Sequence, residues 1–180
     1  MNSMLLSLFN FKSPEEARYT LIMDQGPFEM RMYQRMICAK ITLKDSYDKS
    51  LIHGIQTLED YTGGNNFKVD RIINNGTFYH THKADSWEIG LILPSDLNLA
   101  AIPKPINRAI KIEEIFPGKV GVLKFKGEPS EAIIERRGDE LKRWLKFKGL
   151  KHQGPVRVER HELSFPLSFL KHSEVQLDVQ

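Results

Sequence analysis

Apolar and polar residues first alternate in two short runs on either side of a turn. Residues 19–22 and 28–33 have the composition of strands, and Gly26-Pro27 between them is a turn signal. In the continuation to Leu43, apolar residues fall on both parities of an extended chain, so both faces of this strand are expected to be covered. The pattern predicts an opening β-hairpin.

Two later segments repeat their apolar residues at the spacing of an amphipathic helix. The first is expected to start at a cap on Asp45 or Ser46 and to stop at Gly63-Gly64, and the second to start at Ser130 and reach Gly149. Their apolar stripes are Leu51, Ile55 and Leu58 in the first helix and Ile134, Leu141, Trp144 and Leu145 in the second. We therefore expect two long helices.

The remaining runs predict short strands separated by glycine, proline and asparagine. These strands cover residues 69–73, 77–82, 87–93, 110–112, 119–125, 156–161 and 174–179. A tight hairpin is expected at Asn74-Asn75-Gly76, an ordered loop over 94–105, and the turn of another hairpin at Pro117-Gly118. Hairpin, helix and strands thus occur twice in order, which favours an α+β fold with two helices on one antiparallel sheet or open barrel.

Composition limits the protein to one ordinary globular unit. With 180 residues, 41% hydrophobic and 27% charged, the chain is expected to form a tail over 1–15 and a single domain over 16–180. The apolar stretch 4–9 is too short to cross a bilayer, so we expect it to pack on the domain, with membrane-surface contact as the alternative. The single cysteine, Cys38, excludes an internal disulfide and favours the cytoplasm. A net charge of +3 does not indicate nucleic acid binding.

Two groups of side chains have the chemistry of ligand sites without the spacing of an established motif. His80 and His82 would leave the same face of a strand and could share a metal with a third ligand, although an exposed strand face is the expected reading. We predict no metal site. Met30, Met32 and Met36 could line a hydrophobic ligand or belong to the core.

Charged residues of the first hairpin and of the second helix are the other candidates. Arg31, Tyr33 and Arg35 could contact an acidic ligand, although arginines in a strand more often face water. The second helix is basic on one side and is expected to be solvated there. A protein partner is the alternative, and contact with nucleic acid or an anionic membrane is a lesser one. The basic residues of this helix and those just after it are Arg136, Arg137, Lys142, Arg143, Lys146, Lys148 and Lys151.

Enzymatic chemistry is not predicted. The chain has no nucleophile elbow, and Cys38 has no histidine near it in sequence, so we assign no catalytic residue. A lesser alternative is a small-molecule hydrolase, in which Glu59, Tyr61 and Tyr79 would converge in a barrel cavity.

Three segments, in order, resemble the SOUL heme-binding protein family. They are Phe-Glu-Met-Arg-Met-Tyr at 28–33, Leu-Glu-Asp-Tyr-Thr-Gly-Gly-Asn at 58–65, and Pro-Leu-Ser-Phe-Leu-Lys-His-Ser-Glu-Val at 166–175. The resemblance implies a distorted antiparallel β-barrel of two βαββ-like halves flanked by two long helices, a fold shared with gyrase-inhibitory-protein-like sensors of small molecules.

The resemblance also implies a function and a site. The function is non-enzymatic binding of heme, another tetrapyrrole or a different flat hydrophobic molecule in a cleft between the barrel and a helix. Met32 occupies the position of a histidine proposed as the heme ligand in one family member. Ile52, Ile55 and Glu59 occupy positions of the proposed pocket along the first helix. Heme is therefore the expected cofactor, and Met32, Ile52, Ile55 and Glu59 are the expected binding residues.

Overall fold

A computed structural model describes residues 19–74, 76–161 and 172–180. The strands are β1 (Tyr19–Gln25), β2 (Phe28–Tyr33), β3 (Met36–Leu43), β4 (Thr77–Lys83), β5 (Ser86–Ile92), β6 (Lys111–Ile115), β7 (Gly118–Lys126), β8 (His152–His161) and β9 (His172–Val179). The helices are α1 (Tyr47–Thr62) and α2 (Glu131–Phe147). The predicted tail and residues 162–171 lie outside the described part of the chain.

The nine strands of the described residues form one antiparallel sheet in the order β1-β2-β7-β9-β8-β4-β5-β3-β6. The sheet is curled, and β1 and β6 are its edges. The two halves of the chain meet at its centre, where β8 pairs with β4 on one side and with β9 on the other. This confirms the predicted α+β fold of one antiparallel, barrel-like sheet with two helices.

The two helices lie on the same face of the sheet, which we call the helix face. Helix α1 packs on β3 and β5, and α2 packs on β7, β8 and β9. Their buried stripes join the main core, which includes Leu58 of α1 and Leu141 of α2. A glycine allows α2 to approach closely: a Cβ on Gly121 would lie 2.8 Å from Leu145. The opposite side, which we call the inner face, has a second, smaller core made of strand residues alone.

Both helix predictions are confirmed at their ends. Ser46 precedes α1 and Gly63 follows it. Ser130 precedes α2, and its hydroxyl accepts a hydrogen bond from the backbone N–H of Ile133. Within the described residues, no helix is both long enough and apolar enough to cross a membrane.

The predicted continuous strand over residues 33–43 is wrong, because Gln34 and Arg35 interrupt it. The interruption shifts the alternation by one residue. Met30 therefore belongs to the core of the helix face, whereas Met36 belongs to the core of the inner face. Met32 is 41% exposed. The three methionines do not form the single wall that their parity predicted.

Two further strand predictions are wrong. Residues 69–73 are not a strand, so they form no hairpin with β4, and residue 75 of the predicted turn lies outside the described residues. A tight turn is at Ala84-Asp85, where Lys83 of β4 pairs with Ser86 of β5. Strands β6 and β7 flank Pro117 as predicted, yet they do not form a hairpin. Strand β6 pairs with β3, and β7 pairs with β2 and β9, because the chain crosses between the two ends of the sheet here.

Candidate ligand-binding site

The inner face carries a row of buried charged side chains, centred on Arg31 of β2. Alternation along β2 sends Glu29, Arg31 and Tyr33 to this face, while Met30 points to the helices. Arg31 is only 4% exposed. Its Nη1 and Nη2 donate to the two carboxylate oxygens of Glu174 at 2.7 and 2.9 Å, and its Nε donates to Glu29 at 2.6 Å. The Tyr19 ring covers the guanidinium, with its centroid 4.3 Å from Cζ.

Charge pairing keeps these buried groups ionised. Burial disfavours the charged guanidinium, yet the charges and hydrogen bonds of its partners, Glu174 first among them, together outweigh burial and raise the pKa of Arg31. Burial likewise opposes ionisation of Glu29, but hydrogen bonds and charges from Lys124 and Arg31 lower its pKa overall. Burial, together with the charges of Glu159 and Glu174, raises the pKa of Tyr33 well above its usual value. Tyr33 is therefore a neutral phenol that accepts a hydrogen bond from Arg31.

Gln176 of β9 connects this cluster to side chains of β8. Its Nε2 donates to Glu174 at 2.7 Å and to Glu159 at 2.8 Å. Its Oε1 accepts from Nε of Arg157 at 2.9 Å, and Arg157 also donates to Asp178 at 3.1 Å. A buried network of charges and amides thus crosses the inner face from β2 to β8.

A cavity of about 320 Å³ lies at the end of this network. It is lined by Lys40, Tyr79, Thr81, Lys83, Glu88, Ile115, Phe116, Pro117, Pro155, Arg157 and Asp178. Lys40 is held between Glu88 at 3.3 Å and Glu113 at 2.6 Å. One wall therefore offers charged groups fixed by partners, and the loop before β7 offers apolar and aromatic groups.

The Tyr79 ring forms the floor of the cavity because Gly90 has no side chain. A Cβ at Gly90 would lie 2.2 Å from the Tyr79 ring. The hydroxyl of Tyr79 donates to Sγ of Cys38 at 3.6 Å, so the thiol lies behind the ring. Burial raises the pKa of both Tyr79 and Cys38. Both groups are protonated at neutral pH, and neither is an activated nucleophile.

His80 and His82, the two candidate metal ligands, leave the same face of β4, as the alternation predicted, and both contact Trp87. The prediction that this face is exposed is wrong for His80, which is buried beneath α1 and lies 3.1 Å from the Tyr47 hydroxyl. Burial and the charge of Arg160 lower the pKa of His80 to about 3. Among the described residues, no three His, Cys, Asp or Glu side chains are grouped to hold a metal ion.

The four residues predicted to bind the cofactor lie on two separate elements. Ile52, Ile55 and Glu59 lie along α1; Ile52 and Glu59 are exposed, and Ile55 packs partly against the core. Met32 lies on β2, which pairs with β1 and β7, whereas α1 packs on β3 and β5. The three helix positions therefore share one surface, and Met32 belongs to another region of the sheet.

The proposed hydrolase residues are not brought together. Tyr61 is buried in the core of the helix face and donates to the carbonyl of Pro103, while Tyr79 lies on the inner face. Arg31 was expected to face water and is instead the centre of the buried network. The expectation holds for Arg35, an exposed partner of Glu114. Polar residues alternate with apolar ones in β2 and β9, a pattern that is typical of a strand with one face in solvent. Here the polar face of both strands is buried because the sheet curls.

A model of the SOUL heme-binding protein family matches residues 14–178 of this chain. A comparison with curated protein sequences found no significant match. Among solved structures, an uncharacterized conserved protein from Listeria innocua is similar with a TM-score of 0.61 at 12% identity, covering 85% of this chain and 92% of that one.

Two further solved structures have the same fold. A hydrolase from Listeria innocua has a TM-score of 0.56 at 13% identity, covering 88% of this chain and 94% of that one. The EcmrR C-terminal domain also has a TM-score of 0.56 at 13% identity, covering 90% of this chain and 98% of that one. At these identities the similarity establishes the fold and no activity.

Proposed function

Because the chain belongs to the SOUL heme-binding protein family, we propose that it is a non-enzymatic binding protein for heme, another tetrapyrrole or a different flat hydrophobic molecule. The cavity on the inner face is the site we assign to this ligand. The observation that carries the assignment is its combination of a rigid charged wall with an exposed aromatic loop. Its volume of about 320 Å³ lies at the small end of ligand pockets, which hold roughly 300–1,000 Å³. A large ring system would therefore be held along one part and remain open to solvent elsewhere.

The lining suits a flat molecule with acidic substituents. Phe116 is 70% exposed at the mouth of the cavity, where a planar ring could stack on it. Lys83 and Arg157 lie on the neighbouring strands β4 and β8 of the lining and could pair with carboxylates. Both cations already have acidic partners, Glu88 and Asp178, so they are pre-positioned and would exchange or share these contacts.

The residues at the cavity do not fit coordination of heme iron. Among the described lining residues, none is a histidine, a methionine or a cysteine, the side chains that most often ligate heme. Tyr79 is present, but burial raises its pKa, so the phenolate that would ligate iron is disfavoured. We therefore propose that a tetrapyrrole is held by stacking and charge, and that iron adds little to its affinity.

A titration of the full chain with hemin and with iron-free protoporphyrin tests this proposal. Absorbance and tryptophan fluorescence should saturate at one equivalent for both compounds, with affinities that differ by less than about tenfold. Replacing Phe116 with alanine should weaken both by roughly three- to tenfold, because a stacking contact contributes about 0.5–1.5 kcal/mol.

Phe147→Ala is the matched control, since Phe147 is also an exposed phenylalanine and lies outside the cavity. It should leave both affinities unchanged. Met32→Ala tests the position at which one family member has its proposed heme ligand. If the spectrum of bound hemin changes in this variant, the binding site is at Met32 and not in the inner-face cavity. Absence of saturable binding by either compound at micromolar concentration would rule out tetrapyrroles as the ligand class.

A further inference from the structure

The carboxyl end of α2 forms a second cavity, of about 450 Å³, with the start of β8. Lys142, Arg143 and Lys146 line it from the helix, and Lys151 and His152 line it from the following chain. Leu150 contributes an apolar contact between them. We call these residues the basic end. It shares no lining residue with the inner-face cavity.

The positive charge at the basic end is largely unneutralised. Lys142 pairs with Asp139 at 2.9 Å, and the charge of Arg143 also acts on Asp139, but in the described part of the chain Arg143, Lys146 and Lys151 form no ion pair. The net charge of the whole chain is +3, so these three cations carry as much positive charge as the net charge of the protein. Cations in the last turn of a helix stabilise its dipole. That effect is confined to the last turn, where the basic residue is Lys146, so it accounts neither for Arg143 nor for Lys151, which follows the helix.

An exposed aromatic residue follows Lys146 at the end of the helix, next to this cavity in sequence. Phe147 is 83% exposed, and Nζ of Lys148 lies 5.7 Å from its ring centroid. Trp144 of the same helix end is partly buried, and its ring stacks on Phe28 at 5.1 Å. Phe147 is thus the apolar tip of a rigid, well-packed helix end, and cations precede and follow it in the chain.

We propose that the basic end binds the surface of an anionic lipid membrane. Its cations would contact headgroup phosphates and carboxylates, and Phe147 would enter the interface between headgroups and acyl chains. This combination of clustered Lys and Arg with an exposed aromatic residue is the chemistry by which peripheral proteins bind anionic bilayers. A purely electrostatic partner would use the cations but would not require an exposed phenylalanine among them.

Co-sedimentation with vesicles tests this inference independently of tetrapyrrole binding. The full chain should bind vesicles of phosphatidylcholine with phosphatidylserine, bind poorly to phosphatidylcholine alone, and lose binding as salt increases. Each cation at an anionic surface contributes about fivefold in affinity, so R143Q/K146Q should weaken binding by roughly 25-fold. Phe147→Ser should also weaken vesicle binding, and this loss should not depend on the salt concentration because the lost contact is apolar.

Controls separate this surface from general charge and from other ligands. R136Q removes an exposed cation of α2 outside the cavity, so it should cost clearly less than the roughly fivefold expected for one cation of the basic end. F116A should not change vesicle binding. Equal sedimentation of R143Q/K146Q and wild type would overturn the proposal, because another part of the chain would then bind the lipid. So would saturable binding of inositol hexakisphosphate, or of an acidic protein, without any sedimentation on anionic vesicles.

Discussion

Arg31 and Glu174 lie 143 positions apart in the chain and form a bidentate pair, with N–O distances of 2.7 and 2.9 Å. The pair joins β2, near the start of the sheet in sequence, to β9, its last strand. Both side chains are buried, so each carries a full charge out of water and depends on the other for compensation. The charged network of the inner face can therefore form only after the two ends of the chain have assembled.

Removing one member of this pair should destabilise the protein strongly. Arg31→Met leaves Glu174 buried without its cation and leaves Glu29 with Lys124 alone, and we expect a loss of about 3–5 kcal/mol in the free energy of unfolding. Arg35→Met is a matched control, because Arg35 follows on the same chain segment and pairs with Glu114 at an exposed site. Its cost should be below about 1 kcal/mol. Urea unfolding measures both costs. Similar costs would show that the contribution of the Arg31 pair to stability does not come from its burial.

A second prediction concerns the floor of the inner-face cavity. Gly90→Ala places a methyl group where the Tyr79 ring lies, so the ring must move or β5 must shift. We expect a loss of about 1–3 kcal/mol or more, as for other overpacked cores. In a Tyr79→Ser background the same substitution should cost less than about 1 kcal/mol, because the clash is gone. Costs that simply add in the double variant would show that the ring does not rest on Gly90 in solution.

The sequence predicted the helices well, because their signals are local. Caps such as Ser130 and stops such as Gly63 act within one turn, and the apolar stripes of both helices are buried as their spacing indicated. Most strands were also located, since alternation and turn residues are local. The class of fold followed from their order.

Strand pairing and the inner-face network could not be predicted in the same way. Nothing local distinguishes Arg31, which is buried, from Arg35, which is exposed; the curl of the sheet and the distant Glu174 make the difference. The two-residue interruption at Gln34-Arg35 places Met36 on the opposite face of the sheet from Met30. Position Gly90 carried a weak signal, because a glycine inside a strand often marks a close approach.

A third prediction concerns pH. Burial holds the pKa of His80 at about 3 in the folded protein, against an ordinary value of 6.5. The folded state therefore favours neutral histidine, and the unfolded state binds the additional proton as the pH falls below 6.5. Stability from this group is complete above pH 6.5 and declines as the pH falls towards 3. At pH 4.5 the loss should be on the order of 2–3 kcal/mol.

His80→Gln isolates this contribution. Glutamine can still pair with the Tyr47 hydroxyl, but it does not titrate, so unfolding free energies of the variant should depend less on pH between 7 and 5. Below that range Glu29, whose pKa is lowered in the fold, also begins to lose its stabilising charge and adds a slope common to both proteins. Equal slopes for the variant and the wild type between pH 7 and 5 would mean that His80 is accessible to protons in the folded state.

The last prediction concerns the loop between α1 and β4, which Asn66 holds in place. Its side chain is buried and makes four hydrogen bonds to backbone: Nδ2 donates to the carbonyls of Tyr61 and Asp70, and Oδ1 accepts from the N–H groups of Lys68 and Asp70. This network supports an unfavourable backbone at Val69, whose φ of 56° is rare for a β-branched residue. Asn66→Ala should therefore cost about 2–4 kcal/mol.

Asn107→Ala provides the comparison, because Asn107 is exposed and its side chain accepts one backbone hydrogen bond, from Ala109. It should cost less than about 1 kcal/mol. Asn66→Asp keeps the accepting oxygen but turns a carboxylate oxygen towards the carbonyls of Tyr61 and Asp70, so it should cost at least as much as Asn66→Ala. Hydrogen exchange of the Lys68 and Asp70 amides should increase in Asn66→Ala before global unfolding. If those amides stay protected, the loop is held by its packing and not by the asparagine.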